Sequence, residues 1–170
     1  MNISQLGSGG QTFYDVDGTE KITDILVTLI NQYPGLKDGT IKFGELTETY
    51  GLGFFSSSGA VLVRDEKDIL GHTYQMCQYP FEIVYRTSPK SEAQRVKIKE
   101  FLDGLGRWLE QQPVKIGDTT YVLDSYPVIQ SGDRVIKEIY RSSPGHMVSA
   151  GQDGVEDWAV SMACSYENYF

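Results

Sequence analysis

The sequence predicts an α+β fold, a mainly antiparallel sheet packed with two amphipathic helices. Three observations carry that class. Within residues 79–112, Phe81, Ile83 and Tyr85 alternate with Glu82 and Arg86, the period of two of a strand with one face on a core. The period then changes, and Ile98, Phe101, Leu102, Leu105, Trp108 and Leu109 recur at three and four, which places them on one side of a helix. The order helix, several strands, helix, strands suits antiparallel pairing better than a doubly wound nucleotide-binding fold. Phe81, Ile83, Tyr85, Phe101, Leu105, Trp108 and Trp158 are the expected scaffold core.

Residues 1–18 contain Gly-Ser-Gly-Gly and few apolar anchors, so they read as a flexible arm before a single domain at 19–170. The arm could order against a partner. Asp17 and Glu20 form a capping pair for a first helix to about Gln32, with Ile22, Ile25, Leu26, Leu29 and Ile30 on its apolar side. Residues 40–43 and 46–50 are weak strand candidates, and 51–63 carry apolar runs split by a serine-glycine interruption at 56–59, a turn or a bulge. Arg64-Asp65-Glu66-Lys67-Asp68 reads as a solvated turn, or as a loop that docks a partner.

Residues 72–86 form one long strand, or two joined near Pro80, since Pro cannot donate to a central ladder and so points to an edge, bulge or strand start. Ser88 before Pro89, or Ser91 with Gln94, starts the second helix, and Pro113 stops it near Gln112. Residues 120–123 and 128–130 are short strand candidates, and 135–142 a better one. After a turn at Gln152-Asp153-Gly154, the last strand places Trp158, Val160, Met162, Cys164 and Tyr166 on one face and Ala159, Ser161, Ala163 and Ser165 on the other. That small-sided face permits close approach by a helix or another subunit.

A chain of 170 residues that is 40% hydrophobic fits one domain with a sizeable core. Fifteen basic against twenty-three acidic residues, a formal charge of -8, disfavour broad wrapping of nucleic acid. An acidic surface would instead repel DNA. Cys77 and Cys164 lack the spacing of a zinc knuckle or redox pair and read as buried thiols of a reducing compartment, with a disulfide open if their strands are neighbours. No apolar run is long enough to cross a membrane, and the start lacks a signal-peptide pattern.

Catalytic chemistry has no foothold in the motifs. His72 and His146 belong to no metal spacing, no glycine-flanked nucleophile elbow occurs, and Leu6-Gly7-Ser8-Gly9-Gly10 lacks the Lys and hydroxyl of a phosphate-binding loop. Glu66 and Asp68 specify too few ligands for a hard cation. The expectation is a protein that is not an enzyme and uses no cofactor or metal. An enzyme would need convergent polar groups in a closed pocket. Lys90, Arg95, Lys97, Lys99 and Arg107 interleave with Glu92, Glu100, Asp103 and Glu110, a solvated helix face with a subunit interface or direct DNA contact as alternatives.

Val84-Tyr85-Arg86 at the end of one strand, Trp108-Leu109-Glu110 in the second helix, and Asp153-Gly154 leading into residues 158–166 together resemble the minor capsid or tail terminator (tail completion) family of tailed phages and prophages. The resemblance spans residues 19–29 and 77–166, and Val84 stands where the family often has an aromatic. It implies a virion structural protein that caps the tail tube and joins it to the neck or head, commonly as a hexameric ring. The implied partners are copies of itself, the tail tube protein, and sheath, neck or head-completion proteins, with DNA passing through the ring without specific binding. The implied location is a virion tail or a phage-tail-like particle, such as a contractile bacteriocin, assembled in the bacterial cytoplasm. Candidate assembly contacts are the arm, the charged run Arg64, Asp65, Glu66, Lys67 and Asp68, and the segment 115–126 with Lys115 and Tyr126. Another particle component, such as a minor capsid or tube protein, and a soluble non-viral binding domain are the competing readings.

Overall fold

The computed structural model describes residues 2–4, 11–36, 39–129 and 133–170. Among them the chain is α+β, with nine strands and two α-helices. The order is β1 (Asn2–Ser4), α1 (Val16–Ile30), β2 (Ile41–Phe43), β3 (Gly51–Ser56), β4 (Val61–Lys67), β5 (Thr73–Thr87), α2 (Glu92–Leu109), β6 (Val114–Ile116), β7 (Thr119–Tyr121), β8 (Arg134–Ala150) and β9 (Glu156–Tyr169).

The axis of the main sheet is β5. Along one edge it pairs antiparallel with β9 from Tyr74↔Tyr169 to Thr87↔Glu156, and β8 follows on the far side of β9. The other edge is shared: β4 occupies the stretch opposite 73–78, and β3 the stretch opposite 81–86. β1 extends the sheet beyond β4, and β2 extends it beyond β3 as the parallel pair. β6 and β7 form a separate hairpin.

Pro80 lies inside this central strand, not at an edge, bulge or strand start. The split edge explains how. The Pro80 carbonyl accepts from Ser57 N (3.1 Å) in the gap between the end of β4 and the start of β3. A strand residue points its nitrogen and carbonyl to the same edge, so the missing donor faces a place where no ladder bond is required.

Both helices lie on the face that carries the odd-numbered residues of β5. Ile22, Leu26, Leu29 and Ile30 of α1 and Ile98, Leu102, Leu105 and Leu109 of α2 bury against Cys77, Tyr79, Phe81 and Ile83 and against Val160, Met162, Cys164 and Tyr166. The amphipathic periods read from the sequence are therefore satisfied by one shared core. Phe81, Ile83, Leu105 and Trp108 are buried, while Tyr85, Phe101 and Trp158 are half-buried and pack on the core. Cys77 and Cys164 sit on adjacent strands but opposite Tyr166 and Tyr79, two positions out of register, and both are free. Burial pushes the Cys77 thiol up to about 11 and that of Cys164 up to about 12, so neither is a ready thiolate.

The first helix begins earlier than its spacing predicts, inside the segment assigned to the arm. Its cap is Asp15, not Asp17, and the carboxylate accepts from Gly18 N at 3.0 Å. The same carboxylate receives Arg134 Nε (2.9 Å) and Nη2 (2.8 Å) and the Tyr166 hydroxyl (2.6 Å). A Cβ at Gly18 would collide with it, so the close approach requires glycine there. Of the arm, residues 1 and 5–10 lie outside the described residues, 2–4 run along β4, and Tyr14 bridges Val61.

The second helix uses Ser91 as its cap, accepting from Gln94 N, while the Gln94 side chain accepts from Lys90 N. It ends in a Schellman motif, with Gln111 N bonded to Trp108 O and Gln112 N to Arg107 O. Gln111 is in the left-handed region at φ 60. Gln111→Gly is therefore expected to stabilise the chain by about 0.5–1 kcal/mol. A rise in the urea midpoint at unchanged m-value checks it.

Candidate assembly surfaces

Arg64 to Lys67 continue β4 as a strand, and only Asp68 of the charged run enters the turn. The solvated-turn reading is thus corrected for four of the five residues. The reason is cross-strand pairing: Arg64, Asp65, Glu66 and Lys67 face Met76, Gln75, Tyr74 and Thr73 of β5 in register after a bulge at Leu62/Arg64. Arg64 pairs with Glu66 at 3.6 Å on the exposed face.

The hairpin tip is built by Asp68. Its carboxylate accepts from Leu70 N (2.8 Å) and His72 N (3.0 Å) and meets His72 Nδ1 at 3.0 Å, and Gly71 closes the turn at φ 90. Desolvation opposes ionisation of Asp68, but the bonds from the His72 ring and the two amides outweigh it and hold the carboxyl below its usual range. On this braced turn Ile69 is 93% and Leu70 77% exposed. The sequence reading stopped at Asp68 and missed both. The available signal was an aliphatic pair set between turn-forming Asp68 and Gly71, a place where solvated turns carry polar residues.

Lys115 is exposed on the β6–β7 hairpin. Tyr126 is a half-buried internal pin: its hydroxyl donates to Leu109 O at 2.7 Å and accepts from Ile139 N at 3.2 Å. It satisfies a carbonyl orphaned by the end of α2, which accounts for a half-buried position where an assembly contact is expected. The two candidate regions belong to different sheets, Arg64–Lys67 to the main sheet and Lys115 to the separate hairpin.

The face of the sheet away from the helices carries no described helix. Gln78, Pro80, Glu82 and Val84 lie on it beside the small residues of β9, and Ala159 and Ala163 are buried among their cross-strand neighbours. Ser161 donates to Glu82 at 3.1 Å, and Gln78 donates to Tyr140. At the end of β5 opposite the tip, a groove of about 640 Å³ is walled by Tyr50, Leu52, Tyr85, Ile98 and Phe101. Among the described residues its only charged lining side chains are Lys90 and Lys97. Other cations of α2 are engaged: Arg95 with Glu156 at 2.9 Å and Lys99 with Asp103 at 2.6 Å.

Among the described residues no group of three or more His, Cys, Asp or Glu could hold a metal ion, and no helix is long and apolar enough to cross a membrane. His146 directs Nδ1 at the Pro144 carbonyl, 2.8 Å away. No protein-family model and no curated protein matches this chain.

Proposed function

We propose that this chain is a non-catalytic structural subunit of a tailed phage or phage-tail-like particle, capping the tail tube as a hexameric ring and joining it to the neck or head. The observation that carries the reading is the β4–β5 hairpin, which holds Ile69 and Leu70 out in water on a turn braced by Asp68. Burying an aliphatic side chain of this size is worth about 1.5–3 kcal/mol, so a rigid tip of this kind favours a covering partner.

A terminator must match the tube on one side and present no copy of that surface on the other. The two ends of β5 are unlike, with an apolar tip at Thr73 and a lysine-rimmed groove at Tyr85 to Thr87, as a subunit that joins different surfaces requires. The partners in this reading are copies of the chain, the tube protein, and neck, sheath or head-completion proteins. Assembly takes place in the bacterial cytoplasm. The net charge of -8 suits a ring that DNA traverses without binding.

Direct imaging of assembled particles, locating the chain and counting its copies, tests the proposal. One ring at the head-proximal end of the tube is the expected result. Copies repeated along the tube, or absence from every particle, would overturn it.

A further inference from the structure

We infer that the hairpin tip of one copy docks in the lysine-rimmed groove of a second copy, so that neighbouring subunits join head to tail through Ile69 and Leu70. The inference deepens the ring reading and rests on it for its setting. Three observations lead to it: the tip, the groove with its lysines, and the distance between them.

The tip offers two adjacent aliphatic side chains beside the Asp68 carboxylate, on a turn already fixed by hydrogen bonds to Leu70 N and His72 N. Little conformational freedom is lost when such a turn binds. The groove offers the matching chemistry: aliphatic and aromatic walls, about 640 Å³ of space, and lysines at its rim in a chain whose net charge is -8. Neither the Lys90 nor the Lys97 ammonium enters an ion pair among the described residues, so both remain able to meet an acidic partner.

Geometry excludes the chain's own tip as the occupant. The tip precedes Thr73, whereas the groove is lined by Tyr85 and Thr87 at the other end of the same continuous strand. At about 3.3 Å per residue the two are separated by roughly 40 Å or more. A tip and groove at opposite ends of one rigid strand form a heterologous pair, and repetition of a heterologous contact generates a ring when the rotation closes and a filament when it does not.

The test places one cysteine on each surface, Leu70→Cys at the tip and Ser88→Cys at the groove, in the full-length chain. The native thiols are buried and stay silent. With a short bismaleimide cross-linker the double variant is expected to give a ladder of covalent multimers on a denaturing gel, and each single variant none. Adding Lys90→Glu and Lys97→Glu to the double variant is expected to reduce the ladder at least tenfold, with the unfolding midpoint unchanged as the check on folding. No ladder, a ladder indifferent to the lysine changes, or tip-to-tip dimers from Leu70→Cys alone would each overturn the contact. So would linkage of Leu70→Cys to a different protein in assembled particles, which would make that protein the occupant. A ring at the tube end without tip-to-groove links would sink the contact and leave the functional reading. Links in solution from a chain absent from particles would do the reverse.

Discussion

Asp15→Ala is expected to cost about 3–5 kcal/mol of folding stability, the loss typical of breaking a buried, hydrogen-bonded ion pair from one side. The substitution removes three things together. Helix α1 loses its cap, Tyr166 loses the acceptor of its buried hydroxyl, and the Arg134 guanidinium, itself nearly buried, is left without its bidentate partner. The stranded charge dominates, because loss of a cap alone costs only about 1 kcal/mol. Asp15→Asn keeps an acceptor for Gly18 N and is expected to lose less. The pH dependence gives a second handle. Burial would raise the Asp15 carboxyl, but the bonds from Arg134, Tyr166 and Gly18 outweigh it and leave it below the ordinary 3.8. A depressed carboxyl stabilises fully above its unfolded value and loses that contribution as pH falls through the folded one. The gap in urea midpoint between the wild-type chain and Asp15→Ala should therefore be widest near neutrality and narrow in acid. A constant gap down to the lowest pH at which both fold would refute the assignment.

Phe81→Ala is expected to cost a further comparable amount, about 3–5 kcal/mol, read as a fall in the thermal midpoint of roughly 6–20 °C. Phe81 is buried at the middle of β5, stacked on Phe54 with centroids 4.9 Å apart and within 6.2 Å of Tyr79. The cavity would open on the helix-covered face of the sheet beside Phe54 and Tyr79, where rigid aromatic rings have little freedom to collapse into it. A double-mutant cycle with Phe54→Ala separates the stacking contribution, for which about 0.5–1.5 kcal/mol is expected. Coupling near zero would mean that the two rings fill space independently.

The fold class was legible because it depends on period, and period is local. The switch from alternation at Phe81, Ile83 and Tyr85 to helical spacing from Ile98 predicts a strand and a helix, and the structure packs that helix on that strand's sheet. What escaped the sequence was decided by distant partners. Arg64 to Lys67 look like a solvated turn until β5 is placed beside them. Pro80 looks like an edge residue until the division of that edge between β3 and β4 is known. Asp17 and Glu20 have the spacing of a cap, yet Asp15 has Arg134 and Tyr166 more than a hundred residues away, and no local pattern reports them. The assembly surfaces divide in the same way. Exposure of Lys115 is legible from its turn-rich surroundings, whereas the tethering of Tyr126 depends on where α2 ends and β8 passes.

The shared edge of β5 has a consequence for synthesis. Its β3 and β4 partners precede it in the chain, so that edge can be covered as soon as β5 emerges from the ribosome. The opposite edge belongs to β9, which begins only at Glu156. At roughly 5–20 residues per second, about 3–14 s separate the end of one strand from the start of the other. Helix α2 is made in that interval and can cover the inner face of β5, but a helix cannot satisfy the backbone groups along a strand's edge. For those seconds the nascent protein holds its central strand with one side unpaired, the form in which a strand recruits other chains. Slow translation between residues 87 and 156 would lengthen that exposure, and the yield of assembled protein would depend on elongation rate as well as on the stability of the finished fold.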